Sequence, residues 1–214
     1  MIPFPLVLSS PSGGGKSTIR KQLVEGRDDL GYSVSATTRS PRQNEIDGVD
    51  YFFLTRPEFI ARRERGEFVE WASYAGEWYG TLKSELERLF GEGKHPVLDI
   101  EIDGARQVKE HYPDAVLVFV LPPSGTELVE RLRGRNTEPP EILKRRLDRA
   151  AVELEAAGEY DYVVVNEDIV TAVGHVAAIL EAESRKVRRQ RSLSHSIDEL
   201  RRDVMAEAAK LVRR

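Results

Sequence analysis

Ser9-Ser10-Pro11-Ser12-Gly13-Gly14-Gly15-Lys16-Ser17-Thr18 lies between two unlike stretches. Ahead of it Phe4 to Leu8 is an unbroken apolar run, too short for a buried helix and the right length for a strand. Behind it Ile19, Leu23 and Val24 are spaced for one face of a helix. Strand, glycine loop and helix in that order are the context of a phosphate-binding P-loop. Three successive glycines let several backbone N–H groups converge on one anion, and the helix N-terminus adds the positive end of its dipole. Residues Ser12, Gly13, Gly14, Gly15, Lys16, Ser17 and Thr18 are therefore expected to hold a nucleoside triphosphate. Lys16 is placed to reach the β- and γ-phosphates, and the Ser17 hydroxyl to take one position on Mg²⁺. The motif's first glycine is replaced by Ser10. The competing reading, a Gly/Ser loop with an incidental lysine, does not account for the strand and helix on either side.

The 214 residues suffice for one sizeable core, or a core with a small insertion. Hydrophobic residues at 40% and charged residues at 32% are ordinary for a globular protein and argue against wholesale disorder. No apolar stretch reaches membrane-spanning length, and Met1 to Leu8 lacks the basic start and cleavage site of a signal peptide. A cytoplasmic protein without a membrane partner is expected. With no cysteine and only four histidines, disulfides and thiolate sites are excluded and a zinc centre is disfavoured, which leaves a hard cation brought by phosphates. The net charge of −4 is uneven: residues 185–214 hold ten Lys/Arg against four Asp/Glu, net +6, and the remainder carries −10. A nucleic-acid-binding core is more often basic, so no nucleic-acid partner is expected.

Along the chain, strand and helix patterns alternate. Val97–Ile102, Ala115–Leu121 and Tyr162–Asn166 read as core strands, with Asp99, Glu101 and Asp103 on one side of the first. Helices are expected from Thr81 to Gly91, Asp103 to His111, Ser124 to Arg133, Glu141 to about Gly158, and from Ile169 onward. The alternation predicts an α/β fold: a parallel sheet with helices on both faces. Residues 33–80 break it, being aromatic and rich in strand patterns (Tyr32–Ser35, Val49–Leu54, Glu67–Tyr74), and read as an inserted subdomain. The core is then 1–32 with 81–183, and the polar loop at 134–140 reads as a mobile lid spanning about 131–146. From 184 to 214 a basic stretch leads into an amphipathic helix carrying Ile197, Leu200, Val204 and Leu211. That helix is expected to pack on the domain or to make a homo-oligomer. The run Arg185–Arg191 reads as a solvated helix face, the alternative being a contact with nucleic acid or anionic lipid.

Beyond the P-loop, Ser35-x-Thr37-Thr38-Arg39-x-Pro41-Arg42, Gly48-x-Asp50-Tyr51-x-Phe53, Phe68-x-Glu70-Trp71-Ala72, Tyr79-Gly80-Thr81, Leu98-Asp99-Ile100-Glu101 and Arg131-x-x-Gly134-Arg135 follow in order. This succession, over about residues 4–185, resembles the guanylate kinase family, P-loop nucleoside monophosphate kinases that phosphorylate GMP with ATP. The resemblance implies direct in-line transfer to GMP, and to dGMP, with Mg²⁺ accompanying ATP. It assigns Arg39, Arg42, Tyr51 and Tyr79 to the GMP phosphate, a dianion that arginine forks and phenolic hydroxyls suit. It assigns Glu70 to the guanine edge, where one carboxylate can accept from both N1–H and N2–H, with Ser35, Thr81 and Glu101 around the base. The family commonly has Asp at Glu101 and Gln at Asp103. Arg131, Arg135 and Arg146 match arginines that close on the transferring phosphates, Arg39 joins them with Lys16 as catalytic, Asn166 lies toward adenine, and Asp99 organises Mg²⁺ beside Ser17.

Two other functions fit the same fold: a kinase of another phosphorylated small molecule, such as a ribose bisphosphate, and a non-catalytic phosphopeptide-binding module. Glu70, Tyr79 and Thr81 argue against the first, and the intact Gly13-Gly14-Gly15-Lys16-Ser17 against the second.

Overall fold

The computed structural model describes residues 1–74, 76–134 and 140–211. Five parallel strands form the core sheet: β1 (Leu6–Ser9), β2 (Leu30–Tyr32), β7 (His95–Asp99), β8 (Val116–Leu121) and β9 (Tyr162–Val165), in the order β2-β7-β1-β8-β9. The run Phe4 to Leu8 is apolar throughout because β1 lies in the middle of that sheet and is buried on both faces. Leu6 and Leu8 face α1 (Lys16–Glu25) and α7 (Ile169–Ser184), packing with Ile19, Leu23, Val176 and Leu180. Val7 and Leu98 face the other way, against Leu86 of α3 (Lys83–Gly91) and Val108 of α4 (Ile102–His111).

The insertion is a second sheet in the order β4-β3-β6-β5, from β3 (Ser35–Thr37), β4 (Phe52–Phe53), β5 (Phe68–Tyr74) and β6 (Glu77–Leu82). Its small core stacks Phe59 of α2 (Arg56–Glu64) on Phe68, ring centroids 4.4 Å apart. A capping box between Thr55 and Glu58 fixes the start of α2. α5 (Gly125–Arg133) and α6 (Pro140–Glu155) close a third cluster, Leu128 and Leu132 packing with Ala150, Leu143 and Leu147.

Several boundaries differ from the sequence reading. The strand expected at 32–35 is two strands in different sheets, because the chain leaves the core there: the Ser33 N–H still bonds to Val97, while Ser35 pairs with Thr81. β4 is shorter than 49–54 because the Val49 and Asp50 N–H groups turn back onto the Ile46 carbonyl, which leaves the start of the expected strand in a turn. Thr81 lies inside β6, which runs on to Leu82, and α3 opens only at Lys83. β7 stops at Asp99 and α4 begins at Ile102, so strand alternation does not reach Asp103; that residue is exposed in the first turn of α4, 2.9 Å from Arg106.

The stretch after α7 is two things. Arg189, inside the basic run read as a solvated face, is buried: it pairs with buried Glu183 at 3.0 Å, donates to the Asp114 carbonyl and lies over the Phe4 ring. The run fails as a uniform face because a 3₁₀ turn over Val187–Arg189 folds that one arginine inward. Beyond it α8 (Leu193–Leu211) leaves Ile197, Leu200, Val204 and Met205 exposed, so the expected packing on the domain is absent among the described residues. No described helix is long and apolar enough to cross a membrane.

Candidate active site

The loop between β1 and α1 wraps the α1 N-terminus, which no side chain caps among the described residues, leaving first-turn N–H groups for an anion. Gly15 has φ 95°, and a Cβ there would come within 2.3 Å of Asn166 Nδ2, so glycine is required on both counts. Ser10 needs no left-handed backbone, which is why the motif's first glycine is dispensable here; its hydroxyl donates to the Pro11 carbonyl.

Lys16 reaches from α1 toward the C-terminal end of β7. Its Nζ is 2.7 Å from Glu101 Oε1 and 3.8 Å from Asp99 Oδ1. Burial works to lower the ammonium's pKa, but these two carboxylates more than reverse it and the net shift is upward. Asp99 Oδ1 is buried without a hydrogen-bond partner among the described residues.

A second group of side chains is positioned by the second sheet. A register shift between Phe68 and Glu70 on β5 re-aims Glu70 inward, where Thr81 of β6 donates to its Oε1 at 2.7 Å. Glu70 is only 4% exposed. Burial pushes its carboxyl up to about 7, the Thr81 bond pulling the other way. Gly104 makes this seat available: a Cβ at that position would lie 2.6 Å from Glu70 Oε2.

Arg39 donates through both terminal nitrogens to Glu45, each at 2.9 Å, and the same carboxylate accepts the Arg42 backbone N–H at 2.7 Å. Tyr51 and Tyr79 stand beside them, rings 6.1 Å apart, with the Arg39 guanidinium over Tyr51. Arg42 joins this group through its backbone N–H.

From the α5–α6 pair, Arg131 pairs with Glu127 and donates to the Asn166 carbonyl, and Arg146 donates to Ser12 Oγ at 3.4 Å. Arg135 lies outside the described residues. Asn166 is committed to the loop, its Nδ2 donating to Gly14 O at 2.9 Å.

A cleft of about 710 Å³ unites most of these groups: Ser35, Tyr51, Glu70 and Tyr79 line it together with Lys16, Ser17, Asp99 and Glu101. A smaller one, about 230 Å³, continues over the glycine loop.

Five residues here escape sequence reasoning. Glu45 sits three residues after Arg42, a spacing that could have flagged it. Glu153 accepts the Ser12 N–H at 3.1 Å and the Arg149 Nε at 2.6 Å, Arg149 lies over the Tyr74 ring, and Gly104 shapes the Glu70 seat. Nothing local in the sequence marks these four.

The family model for guanylate kinase matches residues 3–183. The guanylate kinase of Desulfitobacterium hafniense (strain Y51) is 46% identical over 185 residues, covering 86% of this chain and 92% of that protein. That of Clostridium perfringens (strain SM101 / Type A) is 46% identical over 202 residues, or 94% of this chain and 92% of its own length, so the alignment runs into the basic tail. Among solved structures, the guanylate kinase from Anaplasma phagocytophilum superposes with a TM-score of 0.75 at 35% identity, covering 92% of this chain and 95% of that one.

Proposed function

The chain belongs to the guanylate kinase family and carries its activity, ATP-dependent phosphorylation of GMP, and from that premise we propose how its residues divide the work. The division rests on one observation: a single cleft is lined by a buried carboxylate suited to guanine, Glu70, by Tyr51 and Tyr79, and by the P-loop lysine, with the Arg39 guanidinium lying over the Tyr51 ring.

Residues 33–80 are the GMP-binding subdomain. Glu70 accepts from guanine N1–H and N2–H, with Ser35, Thr81 and Glu101 around the base. Arg39, Arg42, Tyr51 and Tyr79 hold the GMP phosphate, which takes Arg39 from Glu45. Ser12 to Thr18 cradle the ATP phosphates, Lys16 on the β- and γ-groups, while Asn166 braces the loop on the adenine side. A phosphate oxygen of GMP then attacks the γ-phosphorus in line; its new P–O bond forms as the bond to the β-phosphate oxygen breaks, and ADP leaves.

This reaction asks for alignment and charge neutralisation more than for covalent help. Arg131, Arg135 and Arg146, in the proposed lid at about 131–146, supply positive charge to the transferring phosphates. Mg²⁺ entering with ATP fits Ser17 and Asp99, whose buried Oδ1 has no hydrogen-bond partner among the described residues. No cluster of three acidic or histidine side chains that could hold a metal occurs among those residues, which leaves phosphate oxygens and water to complete its coordination. When bound, the ion neutralises charge on the β- and γ-phosphates. The enzyme works in the cytoplasm, and α8 is its surface for a second copy.

A coupled assay of ADP release with GMP, dGMP, AMP and ribose bisphosphate tests this reading. Turnover of GMP and dGMP far above the other two is expected; a well-folded protein that leaves GMP unphosphorylated overturns it.

A further inference from the structure

Glu101 is the N-cap residue of α4, yet its side chain caps nothing among the described residues. It turns instead toward the glycine loop. Its Oε1 accepts from Lys16 Nζ at 2.7 Å, and its Oε2 is 3.8 Å from Arg149 on α6. It lines both the large cleft, with Glu70, and the small one over the loop. Such a residue touches the lysine meant for the donor while standing at the edge of the space meant for the acceptor base.

Carboxylate and phosphate are alike in charge and compete for the same donors. A triphosphate drawing close to Lys16 while Glu101 keeps its grip would bring two anions together at one ammonium, which is unfavourable. The donor must therefore share or displace Glu101, and a displaced carboxylate needs another partner. Guanine supplies one on the cleft side, because its N1–H and N2–H groups donate, whereas adenine offers an unprotonated N1. With 41% of its side chain exposed, Glu101 has room to swing.

We propose that Glu101 couples the two substrate sites, holding Lys16 where a triphosphate would bind and moving onto guanine when GMP enters, so that the acceptor unmasks the donor site. This rests on the assignment of Glu101 to the guanine side made above. Arg149 is the positioning residue of the device: it holds Glu101 from the lid side and Tyr74 of the insertion through its guanidinium, 4.4 Å from the ring centroid. The coupling orders binding without any covalent step, and it discourages transfer to water when the acceptor is absent, since the donor then lacks a free Lys16.

The test is calorimetry on the full chain with Mg²⁺ and the non-hydrolysable ATP analogue AMP-PNP, with and without saturating GMP. In the wild type GMP tightens AMP-PNP binding by about five- to tenfold, the low end for coupled sites because the pair is partly exposed. AMP-PNP must tighten GMP by the same factor, since the coupling is reciprocal. Glu101→Gln removes the charge, and Glu101→Asp withdraws it by one methylene. Both should bind AMP-PNP alone several-fold more tightly than the wild type and lose most of the effect of GMP. If both variants bind AMP-PNP alone no better than the wild type, or worse, Glu101 merely orients Lys16 and the proposal falls. GMP titrated alone separates the premise: weaker GMP binding in Glu101→Gln upholds the guanine contact, while tighter AMP-PNP with unchanged GMP binding leaves Glu101 as a plug and overturns the coupling.

Discussion

At the donor end of the cleft, Lys16 is held between Glu101 and Asp99, and its charged form is favoured in spite of burial. At the end proposed for the base, Glu70 has a hydroxyl for a partner and, among the described residues, no cation, and its charged form is disfavoured. One region rests in the ionisation state its ligand needs, and the other does not. The reason is what each must discriminate. Every nucleoside triphosphate carries the same phosphates, so an ammonium kept in its charged form loses nothing in selectivity. The other end, on the assignment proposed above, must tell guanine from adenine. A desolvated carboxylate that regains full partners only from two N–H donors makes the wrong base costly.

The largest effect that could break this contrast is on selectivity. Glu70→Ala should lower kcat/KM for GMP by orders of magnitude while AMP, poor at the start, changes little. A preference of up to about 10⁴–10⁵-fold, the range for sites that read polar groups, then collapses. Steady-state kinetics with both nucleotides checks it, and a surviving preference would move the base pocket elsewhere. Next in size, Lys16→Ala should cost about 10²–10³ in kcat, as loss of a preorganised charge on the transferring group does, while calorimetry finds GMP still bound. Equal loss of GMP affinity would erase the distinction between the two ends.

Ionisation offers a sharper probe. In the folded chain Glu70 titrates near 7 against about 4.5 for an ordinary glutamate, so the native state favours its protonated form. That contribution is complete below pH 4.5 and is lost as pH rises through 7. Glu70→Gln, which cannot ionise, should therefore be more stable than the wild type at pH 8, by on the order of 3 kcal/mol, and the gap should close toward pH 4.5. Thermal melts of both proteins across that range measure it. The same sign predicts that GMP, which needs the carboxylate, displaces a proton below pH 7: calorimetry in buffers of different ionisation enthalpy should show it in the wild type and not in Glu70→Gln.

The smallest effect concerns a region outside both ends. Ending the chain after residue 190 keeps buried Arg189 and removes α8, and should change kcat/KM by no more than about twofold, the range for surface changes. Light scattering should record a loss of self-association. A large loss of activity in a protein still folded would show that α8 serves the cleft.

The order of strands and helices, the glycine loop and the insertion could be read from residue patterns alone, because period 2, period 3.6 and a glycine turn are short-range signals that neighbours in the chain enforce. Boundaries failed where a side chain or a partner from another element decided them, as when Ser35 pairing with Thr81 carried β6 past Thr81 and Glu101 ended strand alternation before Asp103. Which side chains line the cleft was largely legible too, since Lys16, Glu70, Tyr79 and Glu101 sit in motifs. Their partners were not. Glu101 meets Lys16 across 85 residues of chain and Glu153 meets Ser12 across 141, contacts that exist only once the parallel sheet has brought the end of β7 and the helices after β8 to the loop after β1. A sequence can state that an acid and a base are present. Whether they neutralise each other, and so which groups wait charged for a ligand, is a matter of distance and burial, and those the tertiary fold alone sets.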